Sequence, residues 1–399
     1  MHRSAVNVRA DVPLPVGRTQ ALALPTPAAR EAESPRAGYL FHPMTDFLLA
    51  GGGSLLIAAP VFWLIRDKVS AHPFATSLSL ALSLFVNYPH FAHSYQLLYT
   101  GIGQRIFGAD TTLKVALTYI WAGFVAPTLI AAFLIGAYAY GSAHTLGYAA
   151  NALWFFTGWH YVKQGYRVIT VLSAIRRIDY STVEKKLLLV NGYVVWIYSW
   201  MALNMELHEQ TFYGVKYFTL GLPRILLTAG AWATVLTTAA LIVALAHRVV
   251  VRRQPVSWNG IVGYVCSLYL WVIAFYADPI LTLFVPAFHS LQYMLFVWRY
   301  QLNKAVVDVG RARFSAAGSR AVMVRLATFS AFGLALGFAG FVLIPALLEV
   351  GLAPDAALWG PTVFSFMCVA WINLHHYFID NVIWRRDNTD VRRFLFATR

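Results

Sequence analysis

The sequence predicts an all-α, polytopic integral membrane bundle of about ten transmembrane helices, with both termini on the cytoplasmic side. Three observations predict it. Of 399 residues, 59% are hydrophobic and 12% charged, where a soluble protein carries about a quarter charged residues. Ten stretches approach the roughly 20 apolar residues needed to cross the hydrocarbon layer. The basic residues gather at alternate ends of those stretches. Together these features exclude a disordered chain, a collagen-like chain and an ordinary soluble enzyme. The net charge of +14 does not indicate nucleic acid as a partner, because that reading needs a hydrophilic basic surface. Two cysteines, Cys266 and Cys368, are too few for a disulfide scaffold or a cysteine-based zinc site.

The predicted spans are 47–65, 74–99, 115–138, 145–170, 187–204, 225–247, 260–277, 280–300, 326–349 and 358–384. Asp278-Pro279 separates the seventh from the eighth, and the proline makes a break there reasonable. Residues 1–40, with Arg3, Arg9, Arg18, Arg30 and Arg36 among Ala, Pro and Val, read as a disordered cytoplasmic tail, with an Arg-rich transit peptide as the alternative. Residues 41–388 form the transmembrane domain and 389–399 a basic cytoplasmic tail. With the N-terminus inside, only Arg66, Lys68, Lys216 and Arg224 of the 31 Lys and Arg fall outside, leaving 27 inside. The positive-inside rule therefore sets the N-in, C-in orientation.

Six of the twelve histidines lie within spans, all on even-numbered ones. They are His90 and His93 on the second, His160 on the fourth, His289 on the eighth, and His375 and His376 on the tenth. Even spans run inward, so these residues share the cytoplasmic half of the membrane. Intramembrane polar groups are costly and face the bundle interior or a wet cavity. Helical spacing puts His90 with His93, His160 with Gln164, His289 with Gln292 and Tyr293, and His376 with Asp380 on common faces. His375 and His376 are about 100° apart around their helix, and Asp380 one turn on favours His376 as the ligand. His42 and Asp46 open the first span on the same side and read as an interfacial pair or as further ligands.

Other features have plainer readings. Trp63, Tyr99, Trp258, Tyr300 and Trp384 fit interfacial belts, and Arg385-Arg386 with Arg392-Arg393 fit contacts to anionic headgroups of membrane lipids. Gly51-Gly52-Gly53 lacks the context of a phosphate loop and permits close helix packing instead.

Six imidazoles with few carboxylates suit iron, copper or zinc rather than magnesium or calcium, and exceed the needs of one tetrahedral zinc. The constellation resembles the histidine-rich integral-membrane di-iron oxygenases, the class of fatty-acid desaturases and hydroxylases and alkane monooxygenases. It is similar in style to the Brp/Blh-type carotene oxygenases. His90-Phe-Ala-His93 and His375-His376 are the closest local echoes, with His160 and His289. The spacing departs from the HxxxH and HxxHH boxes of the desaturases, so the likeness supports no particular substrate.

The resemblance implies iron, two ions, held by His90, His93, His160, His289, His375 and His376. Asp380, Gln164, Gln292 and Tyr293 would orient ligands or take part in catalysis. The implied reaction is hydroxylation, desaturation or oxidative cleavage of a hydrophobic lipid or isoprenoid, with electrons from a redox partner where needed. Three alternatives compete: a haem-binding redox protein, a non-redox lipid transferase with a His and Asn87 or Asn373 as general base, and an ion or metal transporter relaying protons through His and Asp380.

Overall fold

The computed structural model describes residues 38–65, 69–277, 279–310, 315–385 and 388–396. Each of the ten predicted stretches is predominantly helical among them. The elements run α1 (Pro43–Ile65), α2 (72–99), α3 (Ile102–Phe107), α4 (Leu113–Tyr140), α5 (Ala143–Ile175) and α6 (Thr182–Leu203). A hairpin of β1 (Glu209–Phe212) and β2 (Val215–Phe218) follows. The chain continues through α7 (Arg224–Val250), α8 (Trp258–Ala277), α9 (Val285–Val309), α10 (Ala316–Leu352), α11 (Ala356–Trp359), α12 (Val363–Ile383) and α13 (Thr389–Leu395).

Among the described residues, six helical segments are long and apolar enough to cross a membrane: α1, α4, α6, α7, α10 and Ile280–Val309, which contains α9. The apolar window of the α9 segment is 72% buried, against 6% for α7. Helix α9 is therefore central and α7 peripheral. Three of the remaining long helices, α2, α5 and α12, carry most of the intramembrane histidines, and these polar residues lower their hydropathy.

Several helices are interrupted by one wide turn with i→i+5 hydrogen bonding: Leu48–Gly52, Ser83–Asn87, Trp121–Val125 and Ala339–Leu343. The last three are each followed by a proline in the next turn, Pro89, Pro127 and Pro345. Proline has no N–H and its ring collides with the carbonyl four residues back. A wide turn relieves that collision and leaves carbonyls for other donors. Ahead of Pro127, the Gly123 carbonyl accepts from Tyr99 OH at 2.6 Å and the Ala122 carbonyl from His375 Nε2 at 2.8 Å. In α1, Gly51 packs so closely on α8 that an added Cβ would lie 2.9 Å from Cys266 Sγ.

Two buried polar groups tie the peripheral helices together. Arg248 pairs with Glu184 at 2.9 Å and donates to the carbonyls of Asp179 and Pro255. Asn191 on α6 bonds Thr237 and Thr238 of α7 and Tyr264 and Tyr269 of α8. A buried ion pair survives desolvation when further hydrogen bonds back it, as the Asp179 and Pro255 carbonyls and the Ser181 N–H, which donates to Glu184, do here.

The hairpin is a feature the sequence reading did not include. Its turn residues Tyr213 and Gly214 both have positive φ, 49° and 75°, as a two-residue hairpin turn requires. Thr362 Oγ1 donates to the Tyr213 carbonyl at 2.6 Å, so the hairpin fastens the start of α12.

The expected tail 1–40 lies outside the described residues except for 38–40, where Leu40 is already buried. The expected break at Asp278-Pro279 likewise falls outside them at Asp278. The expected C-terminal tail, 389–399, is ordered over α13. Val391, Phe394 and Leu395 follow helical spacing and are buried, and Asn303 of α9 donates to the Phe394 carbonyl at 2.6 Å. Arg392 and Arg393 lie on its exposed side.

Candidate metal centre

Four helices deliver the centre. Helix α2 supplies His90 from the first turn after its wide turn, α5 supplies His160, α9 supplies His289, and α12 supplies His376 and Asp380. One ligand atom from each of His90, His160, His376 and Asp380 lies within 4.8 Å of all the others. All four side chains are buried, at 0–2% exposure, which places three imidazoles and a carboxylate in a water-poor interior. Burial of so many polar groups is tolerated only where they meet partners or an ion.

The distances approach those of coordination, with the carboxylate standing a few tenths of an ångström wide. His376 Nε2 lies 3.5 Å and His160 Nε2 3.7 Å from Asp380 Oδ2. His160 Nε2 and His289 Nε2 are 3.0 Å apart. Adjacent ligands on one ion, at metal–nitrogen bonds near 2.0–2.1 Å, are separated by roughly 2.9–3.4 Å. His90 Nε2, His376 Nε2 and Asp380 Oδ1 are buried without a hydrogen-bond partner. The Tyr293 hydroxyl and the Trp384 indole N–H face Asp380, yet neither meets it in full hydrogen-bond geometry.

Two serines decide which imidazole nitrogen is left bare. Ser94 Oγ donates its hydrogen to the Phe91 carbonyl at 2.7 Å and lies 2.8 Å from His376 Nδ1. Having spent its proton, it accepts from Nδ1–H, so His376 Nε2 keeps its lone pair. Ser290 Oγ does the same for His90: it is 3.0 Å from Nδ1 while its proton goes to Asn87 Oδ1 or the Pro286 carbonyl, both at 2.8 Å. A second hydrogen bond of this kind fixes the tautomer of a ligating histidine. Among the described residues this is the one group of three or more His, Cys, Asp or Glu close enough to share an ion.

The other predicted residues are placed differently. His289 sits beside the group through His160 and lies flat on Tyr161, with ring centroids 3.9 Å apart. His93 and His375, expected among the ligands, are not brought in. His93 Nδ1 bonds Gln96 Oε1 at 2.6 Å and its ring stacks on Phe329. His375 has both nitrogens engaged, Nε2 on the Ala122 carbonyl and Nδ1 with Tyr95 OH at 3.0 Å.

Gln164 and Gln292, expected to orient or complete coordination, are spent on helix contacts. Gln164 Nε2 donates to the His289 carbonyl at 2.7 Å, and Gln292 Nε2 to the carbonyls of Ala50 and Gly263. Tyr293 packs edge-on against His90 at 4.4 Å. His42 and Asp46 cap the start of α1 instead: Asp46 accepts from the backbone N–H groups of Leu40 and Phe41.

Sequence reasoning passed over Ser94, Ser290, Tyr161 and Tyr377. Ser94 follows His90 by four residues and Ser290 adjoins His289, so a small hydroxyl beside an intramembrane histidine was the available signal. Tyr377 covers the His160 ring at 4.7 Å and shares a hydrogen bond with Thr157 at 2.7 Å. Arg167, two turns along α5 from His160, interacts electrostatically with Asp380 and Tyr293. No family model, curated protein or solved structure matches the chain, so the centre is read from its own geometry.

Proposed function

We propose that the protein is a membrane-embedded, metal-dependent oxidoreductase: a non-haem iron oxygenase that hydroxylates, desaturates or cleaves a hydrophobic lipid or isoprenoid. The observation that carries this reading is the convergence of three buried imidazoles and one carboxylate, with the lone pairs of His90 Nε2 and His376 Nε2 unspent. Three nitrogens and one carboxylate oxygen suit iron or zinc better than magnesium or calcium. His90, His160, His376 and Asp380 would hold one ion, with His289 at its edge. The expected second ion has no second ligand group among the described residues. Bound there, iron would supply activation of O₂.

The chain's own share is orientation and exclusion of water. Ser94 and Ser290 hold the imidazoles in one tautomer. Asp380 contributes negative charge, which Arg167 partly balances. Three imidazoles and a carboxylate converging on one locus, rather than two histidines facing each other across a flat gap, argue against the haem alternative.

The ten-span, N-in, C-in topology belongs to the same proposal, supported by the positive-inside rule, since it would put 27 of the 31 basic residues on the inner side. It puts the centre toward the cytoplasm, within reach of a redox partner. Metal analysis of anaerobically purified protein tests the reading. Near-stoichiometric iron without a Soret band is expected. Zinc alone would favour the non-redox transferase, and a Soret band the haem protein. Metal retained in each of His90→Ala, His160→Ala and His376→Ala would end it.

A further inference from the structure

Near the C-terminal ends of α2 and α9, a cavity of about 590 Å³ opens between these helices and α10, with α3 along its rim. That volume lies within the range of small-ligand sites, about 300–1,000 Å³. Its inner wall is Gln96, which bonds His93, and Phe329, on which the His93 ring stacks. Its outer wall is Phe332 and Leu336 of α10, 59% and 38% exposed. Helix α10 is long and apolar enough to cross a membrane, so these two side chains meet acyl chains rather than water. Tyr99 and Tyr300 also line the cavity, and such aromatic residues mark the depth of the headgroups. The cavity is therefore entered from the lipid.

The charges in it have one sign. Arg105 and Lys304 line the cavity, and no Asp or Glu does. Arg105 is spent in part, on Asp390 at 3.0 Å and on the Tyr119 hydroxyl. Lys304 is not. Asp308, one turn along α9, is taken by Arg325 at 2.9 Å, and the Lys304 ammonium makes no ion pair or hydrogen bond among the described residues. Thr100 and Gln301 add side-chain donors that are likewise unspent. A half-buried cation without a counter-charge is costly, and one set among spare donors calls for an anion.

We propose that this cavity binds one anionic phospholipid of the surrounding bilayer, with its phosphate between Lys304 and Arg105 and its chains running out over Phe332 and Leu336. Basic pockets between transmembrane helices take anionic headgroups in this way. The exposed apolar wall on α10 serves a ligand with acyl chains and has no use for a small soluble anion. With Arg105 balanced by Asp390, the lining suits a headgroup carrying one negative charge, as in phosphatidylglycerol. A zwitterionic headgroup brings its own cation to Lys304 and is held less well. Occupancy needs no metal, so the fate of the centre does not decide it.

Native mass spectrometry of the detergent-purified full-length protein counts bound lipids one at a time. The protein is titrated with dioleoylphosphatidylglycerol, dioleoylphosphatidylcholine and oleate. The first phosphatidylglycerol is expected to bind about fivefold tighter than the first phosphatidylcholine, the worth of one basic residue beside an anionic headgroup. Lys304→Gln should erase that preference and Lys304→Arg should keep it. Thr100→Trp, which obstructs the cavity from an exposed position, should weaken the first phosphatidylglycerol as well. Lys114→Gln removes an exposed cation outside the cavity and should change nothing. Equal affinity of wild type for the two phospholipids would overturn the site. So would a preference that survives Lys304→Gln, or one that falls as far with Lys114→Gln. Tighter binding of oleate would replace the phospholipid by a fatty acid, and displacement by excess glycerol 1-phosphate would replace it by a soluble anion; either result ends the assignment. Metal content measured on the same samples reads the centre separately.

Discussion

His160 Nε2 and His289 Nε2 lie 3.0 Å apart although 129 residues separate them. Two imidazole nitrogens at that distance need a proton or a cation between them. His90, His376 and Asp380 crowd the same spot with bare acceptor atoms, which favours the cation.

The intramembrane histidines should divide into two classes. His160→Ala and His376→Ala should lower bound metal to below about a tenth of wild type, since an uncompensated gap in a small ligand set costs much of the affinity. His93→Ala and His375→Ala should keep it, because their nitrogens are engaged elsewhere. Elemental analysis of the purified variants checks this, and equal loss in all four would contradict the assignment.

Ser94→Ala should weaken metal binding about 10–100-fold without touching a ligand, by freeing the His376 ring to adopt the other tautomer. Ser290→Ala should do the same through His90. Competition with a chelator of known affinity gives the number. A change smaller than twofold in both would mean that the serines only pack.

Gly333 packs against the His93 ring, where a Cβ would overlap it. Gly333→Ala should destabilise the protein by about 1–3 kcal/mol through overpacking and leave metal content intact. A lowered melting temperature with unchanged iron is the expected pair of readings; iron lost in step with the melting temperature would tie His93 to the centre.

The proposed topology places the β1–β2 hairpin outside and the α5–α6 connection inside. Gln210→Cys in intact cells should react with a membrane-impermeant maleimide, whereas Lys186→Cys should react only after permeabilisation. The opposite pattern would reverse the orientation and move the centre to the other face.

Much of the fold was legible because lipid imposes one requirement, a long apolar helix, that shows in any window of sequence. The hairpin was not, since four-residue strands carry too little pattern. The centre was legible at His90, His160, His376 and Asp380 because charged and polar groups are rare in such helices. His93 and His375 carried the same local signal and face elsewhere. What turns them away sits on other helices: Gly333 makes room for one ring, and Pro127 releases the Ala122 carbonyl that claims the other. Those pairings span 240 and 253 residues and leave no trace in local spacing.

The wide turn Ser83–Asn87 has one more consequence. It holds an extra residue within a single coil of α2, so the segments before and after it are out of phase with an uninterrupted α-helix by about 100°. Closing the coil with every residue kept would swing His90 around the helix axis by that angle, away from the other ligands, whereas losing one residue as the coil closes would leave it in place. The position of the first ligand thus depends on a count of residues as much as on their identity, and a one-residue insertion upstream, which the already widened coil has no room to absorb, should be as damaging as replacing the histidine itself.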